Sequence, residues 1–474
     1  MGNKRKELVK VHSVGSNYDG VTGSITLVTY KNITIGIDCG AYQGSSKLKD
    51  YQINKSMFKD MSIKNISAFA FTHQNFDHIG NICQLFNQGG NPTLYMVDGS
   101  YKLAELMFKD SLKIMNADSM YLSKKYGKEY KPLFTEDDVE KVLYNTIEYK
   151  YNEKFKINDY MSIEFIPAGH IYLSAQIILY IEDNNFKRKI LFTGDLGNLQ
   201  LEKPLVEKFQ PVKNCSLMVA ECTYAMAENK CTPKHKEQDL IAIKKQINKT
   251  CFHKKGSLLF GAFALQRSLD ILVDLYTIWE ETKFSYPVYL DTPLGVNILK
   301  VMEEYTRSDI IKKLIEWDNL KFIDKFEDTQ KIMYSETPAI ICSSSGFAQG
   351  GRILAYFTEI LPHKKNCLVS VGYCSPESNM GMVKQRKPIQ IMHEGELKEY
   401  EVKCDILEIN SYSSHMQSDD MLSYYSTIQC DKIVLNHGDN SKKYEFAELL
   451  DETLSEKFKT PKVFVMNRGE YITV

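Results

Sequence analysis

Short apolar runs broken by turn residues fill the first third of the chain. Ile25–Tyr30 and Ile33–Cys39 read as two strands joined by a turn at Tyr30-Lys31-Asn32. Ile66–Thr72 reads as another strand, and it ends directly in a histidine-rich loop. Ile177–Ile181 and Ile190–Thr193 form the arms of an expected hairpin around Asp183-Asn184-Asn185. From Ser100 to about Asn152 the apolar spacing changes to three and four, as at Leu103, Leu106 and Met107, which predicts helix. Thr135 and Asp138 have the spacing of a capping box opening a helix over Glu136–Asn145. From about Val212 strand-like runs (Leu217–Ala220, Leu258–Gly261, Val288–Leu290, Ala339–Cys342, Leu368–Val371) alternate with helical patterns such as Gln266–Thr277 and Val296–Tyr305. That alternation predicts a parallel α/β sheet. The last ~80 residues return to short strands at Val402–Ile409, Ile433–Leu435 and Val463–Met466.

Composition narrows the picture. A chain of 474 residues predicts two to four domains at ~150 residues each. With 43% apolar and 25% charged residues it has the composition of a folded globular protein, not a disordered one. The formal net charge is −1, which excludes binding of nucleic acid by bulk charge and leaves a local basic groove open. The lysine clusters at Lys4–Lys6, Lys124-Lys125, Lys254-Lys255, Lys364-Lys365 and Lys384–Lys387 each read as solvated surface. Eleven cysteines with no C-x-x-C pair fit neither a disulfide framework nor a zinc ribbon, so reduced thiols and a cytoplasmic location are expected. The start MGNKRKELVK leads into no apolar stretch, Lys6 stands where a myristoylation signal needs Ser or Thr, and no run approaches the ~20 apolar residues of a membrane helix.

Chemistry concentrates in Thr72-His73-Gln74-Asn75-Phe76-Asp77-His78, between an apolar strand and the helix-like stretch Ile79–Phe86. His73, Asp77 and His78 carry imidazole nitrogen and carboxylate oxygen, the usual ligands of borderline metals such as zinc. His170, Asp195 and His437 also fall at strand ends beside glycines, which let the backbone turn sharply and aim the next side chain into a common cleft. Of the ten histidines, His73, His78, His170, His415 and His437 have such contexts; His12, His235, His253, His363 and His393 read as structural or exposed. The loop Ser344–Arg352 contains three glycines, so its amides are suited to cradling a phosphate, and Arg352 to pairing with a neighbouring one. The 29 tyrosines offer base stacking, although the sequence does not say which of them would stack.

Taken in order, the motifs at Asp38 (Asp-Cys-Gly), Thr72–His78 (T-H-x-x-x-D-H), His170 (Gly-His), Asp195 (T-G-D) and His437 (H-G-D) resemble the metallo-β-lactamase fold, and more closely its β-CASP subgroup of nucleic-acid-processing enzymes. Glu221, His415 and His437 resemble the subgroup's motifs A, B and C; Phe263–Arg267, Leu290–Pro293 and Ser344–Arg352 resemble its loops. The resemblance implies an α/β chain, an αββα sandwich over residues 1–212 and 395–474 interrupted by an α/β β-CASP domain over 213–394, with the active cleft between the two. It implies metal-dependent hydrolysis of RNA phosphodiester bonds, endonucleolytic with 5′-exonuclease activity as an open alternative, and two zinc ions. His73, Asn75, His170 and Asp195 would hold the first ion; Asp77, His78, Asp195 and His437 the second. Asp38 would orient a ligand histidine, and Asp77, Glu221 and His415 are the expected catalytic residues. His415 would protonate the leaving oxygen while Glu221 orients it. Ser344, Gly346, Gly351, Arg352 and Arg267 are the expected substrate contacts. The expected partner is single-stranded RNA and no membrane; a DNA substrate, manganese in place of zinc and a homodimer stay open.

One position departs from the pattern H-x-H-x-D-H: the second histidine is Asn75. An amide oxygen is neutral and a weaker zinc ligand than imidazole. Either His73, His170 and Asp195 still hold the first ion, weakly or as a harder ion, or the chain is a weakened β-CASP protein that binds RNA or a partner nuclease. A third reading, a small-molecule hydrolase of the same fold, conflicts with the insert of about 180 residues carrying its own motifs.

Overall fold

The computed structural model describes residues 8–474 except 185, 229–230, 307, 373, 394 and 456–461. The expectations placed on the first seven residues, including the Lys4–Lys6 cluster, fall outside that range. The chain divides into two units: Met1–Leu199 with Val206–Asn229 and Ser414–Val474, and Gln200–Leu205 with Lys230–Ser413.

The first unit is built on two seven-stranded sheets. One runs in the order Tyr471–Thr473, Lys10–Ser13, Thr26–Tyr30, Ile33–Ile37, Ile66–Ala70, Thr93–Val97, Thr146–Tyr149; the other Lys462–Val465, Gln429–Asn436, Asn214–Glu221, Phe186–Phe192, Ala175–Asp183, Met161–Pro167, Phe155–Lys156. Their central strands are buried on both faces, as Ile66–Ala70 and Ala175–Asp183 illustrate, so each sheet is covered on both sides. The sheets meet through aromatic contacts: Tyr30 stacks on Phe186 with ring centroids 5.4 Å apart, and Tyr95 lies 5.4 Å from Phe155. On the outer faces helices complete the αββα order. Phe69, Leu94, Phe108 and Val142 are part of one helix–sheet core; Met218, Leu435, Tyr425 and Phe446 belong to the other.

The helix expected at Ile79–Phe86 is two short ones, Phe76–Ile79 and Ile82–Asn87. The expected capping box at Thr135 is present: Asp138 accepts from both the backbone N–H and the hydroxyl of Thr135, opening Glu136–Tyr144.

In the second unit six strands, Leu320–Phe322, Val288–Asp291, Ile340–Ser343, Leu258–Gly261, Cys367–Val371 and Asp405–Ile409, pair in parallel in that order. The strand boundaries differ from the sequence reading in two places, and both have a pairing reason. Asn214–Glu221, read as the start of the insert, is a central strand of the sandwich, parallel to Phe186–Phe192 on one side and Gln429–Asn436 on the other. Asp405–Ile409, read as part of the returning sandwich, instead covers the edge of Cys367–Val371, a wholly buried strand that needs a partner there. Among the described residues no helix is long and apolar enough to cross a membrane.

Asp405 lies 2.8 Å from the Lys249 ammonium and 2.7 Å from that of Lys254. Burial pushes its carboxyl up, but hydrogen bonds from the two lysines outweigh this and hold it at about 2. A carboxylate whose folded pKa is depressed stabilises the fold above its unfolded value, near pH 4, and stops doing so as the pH falls through the folded one. Asp405→Asn is therefore expected to destabilise this unit by ~1 kcal/mol or less at pH 7, since solvent screens a half-buried pair. The difference should close near pH 2, read by urea unfolding of both proteins across that range.

Candidate metal centre

Strand ends and tight turns bring the predicted ligands together. Asp38 and the residues after it close over the loop that follows Ile66–Ala70: Cys39 N–H donates to His78 C=O (2.8 Å) and Ala41 N–H to Phe76 C=O (3.0 Å). Gly40 is needed there, because a Cβ would lie 1.6 Å from the Asp77 carbonyl oxygen. Gly197 plays the same part between the other two turns. Its N–H donates to Ala168 C=O (2.9 Å), and a Cβ on it would lie 1.8 Å from the Gly169 oxygen. His170 and Asp195 thereby share one corner.

Asp195 stands at the centre. Its Oδ2 lies 3.7 Å from both His73 Nε2 and His170 Nε2; its Oδ1 lies 3.4 Å from His78 Nε2 and 3.3 Å from His437 Nδ1. Asp77 Oδ2 is 3.6 Å from His437 Nε2. Two ligand sets follow, His73–His170–Asp195 and Asp77–His78–His437, with a third overlapping group of Asp195, Glu221 and His415.

The ring orientations are fixed from behind. Asp38 Oδ2 meets His78 Nδ1 at 2.8 Å, and its Oδ1 accepts from Thr72 N–H at the same distance. This is the outer hydrogen bond that sets a ligand histidine's tautomer, leaving Nε2 bare toward the centre. Thr72 and Thr223, which the sequence reading did not single out, do similar work. Thr72 Oγ1 lies 3.1 Å from His73 Nδ1, and Thr223 Oγ1 lies 3.0 Å from His437 Nδ1. Their signal in the sequence is adjacency alone: Thr72 precedes His73, and Thr223 lies two residues after Glu221.

The donor set fits a cation. His73 Nε2 and Asp195 Oδ1 are buried with no hydrogen-bond partner among the described residues. His78 Nε2 and His437 Nε2 face each other at 3.3 Å, where lone pairs repel unless a proton or a cation lies between them. Ligand atoms held ~2.0–2.2 Å from one tetrahedral ion are themselves about 3.3–3.6 Å apart, close to the separations seen here. Burial pushes the His73 imidazole down to about 3, so it is neutral and able to ligate. Burial pushes Asp195 up, yet the imidazoles of His437, His78 and His415 outweigh it and keep the carboxylate ionised.

Beside this centre, His415 Nδ1 lies 3.3 Å from Glu221 Oε1, and its Nε2 faces Asp195 Oδ2 at 3.8 Å. Glu221 is itself fixed by backbone donors, Leu196 N–H at 2.6 Å and Thr223 N–H at 3.2 Å. Asn75 caps the helix Phe76–Ile79 through its backbone carbonyl, which accepts from His78 and Ile79 N–H. Its half-buried side-chain amide makes no hydrogen bond among the described residues.

The expected substrate contacts lie in the second unit. Phe263–Arg267, Thr292-Pro293 and Ser344–Arg352 all follow the C-terminal ends of parallel strands, the edge where open α/β sheets bind ligands. Ser344 Oγ donates to Thr292 Oγ1 (2.9 Å), and a Cβ on Gly346 would press against the Phe263 ring. Gly351 has φ +83° and no room for a Cβ beside Ser344 C=O. Arg267 reaches Val371 C=O at 3.2 Å. Arg352 donates to the buried Asp291 carboxylate and to the carbonyls of Ile323 and Asp324, so the charge expected to meet phosphate is met by a carboxylate of the same unit.

Two family models match the chain: a Beta-Casp domain over residues 268–380 and a Zn-dependent metallo-hydrolase RNA specificity domain over 399–461. Over these two stretches the chain is similar to the β-CASP subgroup of the metallo-β-lactamase fold. It is a metal-dependent hydrolase, with a metal cofactor. Among similar proteins, "Ribonuclease TTHA0252" of Thermus thermophilus is 25% identical, over 91% of this chain and 93% of its own. "Probable RNase MJ4" of Methanocaldococcus jannaschii is 27% identical over 85% and 87%. "Transcription termination factor FttA" of the same organism is 26% identical over 86% of this chain, which spans only 63% of that protein. The solved structure of a protein of unknown function from Enterococcus faecalis V583 superposes over 99% of this chain and 100% of its own with a TM-score of 0.54 at 15% identity, a likeness of fold alone.

Proposed function

We propose that this chain is a metal-dependent ribonuclease that hydrolyses phosphodiester bonds of single-stranded RNA, cutting internally, with zinc in both ligand sets. The observation that carries the reading is the split of the Asp195 carboxylate, one oxygen toward His73 and His170 and the other toward His78 and His437, with the His415–Glu221 pair beside it.

A phosphodiester resists water because the nucleophile is weak, the phosphate is anionic and the leaving alkoxide is poor. Bound ions lower the pKa of water and neutralise phosphate charge. The chain's own groups supply the rest. Glu221 fixes the Nδ1 side of His415, so Nε2 is the atom that holds a proton for the leaving oxygen. Asp38, Thr72 and Thr223 hold the ligand rings in place.

Elemental analysis of the purified protein, paired with cleavage of single-stranded RNA by wild type and by Asp77→Ala, tests this. Metal in wild type, cutting in zinc or manganese, and loss in the variant are expected. No metal-dependent cutting in either ion sinks the proposal. Equal cutting of single-stranded DNA of the same sequence widens the substrate to both nucleic acids.

Asn75 supports a second reading, a chain that grips RNA or a partner and cuts slowly. Placing an imidazole there restores a stronger donor to the set of His73, His170 and Asp195. Asn75→His is expected to tighten metal retention at least ~10-fold, read by chelator titration. If wild type is inert and this variant cuts, the binding reading replaces the enzymatic one.

A further inference from the structure

Resting on the ribonuclease reading, we propose a second binding site for single-stranded RNA at the far end of the helix Ser100–Tyr126, formed with the neighbouring helix Lys47–Ser56 and the turn after Tyr126. Tyrosine rings touch one another there at the surface. Tyr130 meets Tyr51 edge-on with centroids 5.2 Å apart and lies 6.2 Å from Tyr126. The Lys125 ammonium extends the row, 5.6 Å from the Tyr126 ring and 5.4 Å from that of Tyr121. Tyr121 and Tyr126 keep 41% and 44% of their surface exposed, so they serve no core.

Each ring also carries an ammonium. Lys47 lies over Tyr121, Lys55 over Tyr51 and Lys128 over Tyr130, at 5.5, 5.7 and 5.0 Å. Lys124 and Lys131 add positive charge in the same turn. The carboxylates facing them are fewer: Asp118 pairs with Lys47, Glu129 with Lys131, and Asp50 accepts from the backbone of Gly44 and Ser45. On a chain of net charge −1 this is a local excess. Stacking faces interleaved with ammonium groups match a strand whose bases are unpaired and whose phosphates run alongside. An acidic peptide would use the lysines and leave the rings idle.

The position says what such a site is for. The helix starts just after strand Thr93–Val97, which is parallel to Ile66–Ala70, the strand that opens into the His73–His78 loop. Twenty-seven residues of helix span about 40 Å. At ~3.4 Å per stacked nucleotide that is roughly a dozen nucleotides. An RNA that follows this helix from its start to the patch needs that length, so a long strand gains more from the patch than a short one.

The test uses a 30-nucleotide oligouridylate and a pentanucleotide with the variant Tyr121→Ala/Lys125→Ala/Tyr126→Ala. Binding is measured in a His415→Ala background, which spares the RNA; cleavage is measured without it. The variant is expected to bind the 30-mer at least ~10-fold more weakly and to raise its KM, with pentanucleotide cleavage unchanged. A second variant, Lys124→Gln/Lys125→Gln, keeps the rings and should flatten the salt dependence of 30-mer binding by about 1.4 log units per log unit, ~0.7 for each phosphate contact. Unchanged 30-mer binding in both variants overturns the proposal. A wild type that binds the 30-mer through these residues and cuts nothing leaves the patch standing and removes the ribonuclease reading instead.

Discussion

Asp195→Ala is expected to lower RNA cleavage by more than ~10³-fold and to empty both ligand sets together. The reason is positional. His73 and His170 approach one oxygen of this carboxylate, and His78 and His437 approach the other. Removing any single histidine leaves one set intact, whereas removing Asp195 takes a ligand from the first set and the carboxylate oxygen that faces both histidines of the second. The four imidazoles also lose the negative charge that makes a cation welcome among them. Elemental analysis should find the variant nearly metal-free, and its melting curve should overlay that of chelator-treated wild type, because both lack the stabilisation that binding contributes. A variant that keeps its metal while losing activity would mean that the carboxylate does not ligate.

His415→Ala is expected to slow cleavage of RNA by 10²- to 10⁴-fold, the usual worth of a positioned acid, with metal content unchanged. A substrate with a good leaving group separates this role from others. A phosphodiester ester of 4-nitrophenol releases an anion that needs no proton, so the same variant should cut it within a few-fold of wild type. Glu221→Gln keeps the shape and the hydrogen bond to Leu196 N–H but removes the charge facing His415 Nδ1, and should fall between the two. Equal losses on both substrates would instead make His415 a ligand, in the group it shares with Asp195 and Glu221.

The candidate ligands were legible because His73, His170, Asp195 and His437 sit just past the ends of buried strands and Asp77 and His78 in the short helix that follows one of them, and the chemistry of His, Asp and Gly at such points is narrow. Their tuning was not. Thr72 and Thr223 look like any threonine until the fold brings their hydroxyls against imidazole nitrogens. Arg352 has the glycine-rich setting of a phosphate contact, yet its partner Asp291 is sixty-one positions away on a parallel neighbour. Strand pairing explains the displaced segments as well. Nothing local in Leu217–Ala220 or Val402–Ile409 says which sheet each run joins, because the deciding partners, Gln429–Asn436 and Cys367–Val371, are far off in sequence or belong to an adjacent run. The tyrosine–lysine patch is the reverse case. The doublet Lys124-Lys125 reads as ordinary solvated surface, and only ring contacts from another helix give it meaning.

The strand Asn214–Glu221 is flanked by Gln429–Asn436, whose last residue precedes His437. His437 therefore takes its place beside Asp195 only when Gln429–Asn436 has paired with Asn214–Glu221, more than two hundred positions upstream, so the cluster is completed by long-range strand pairing and not by any local turn.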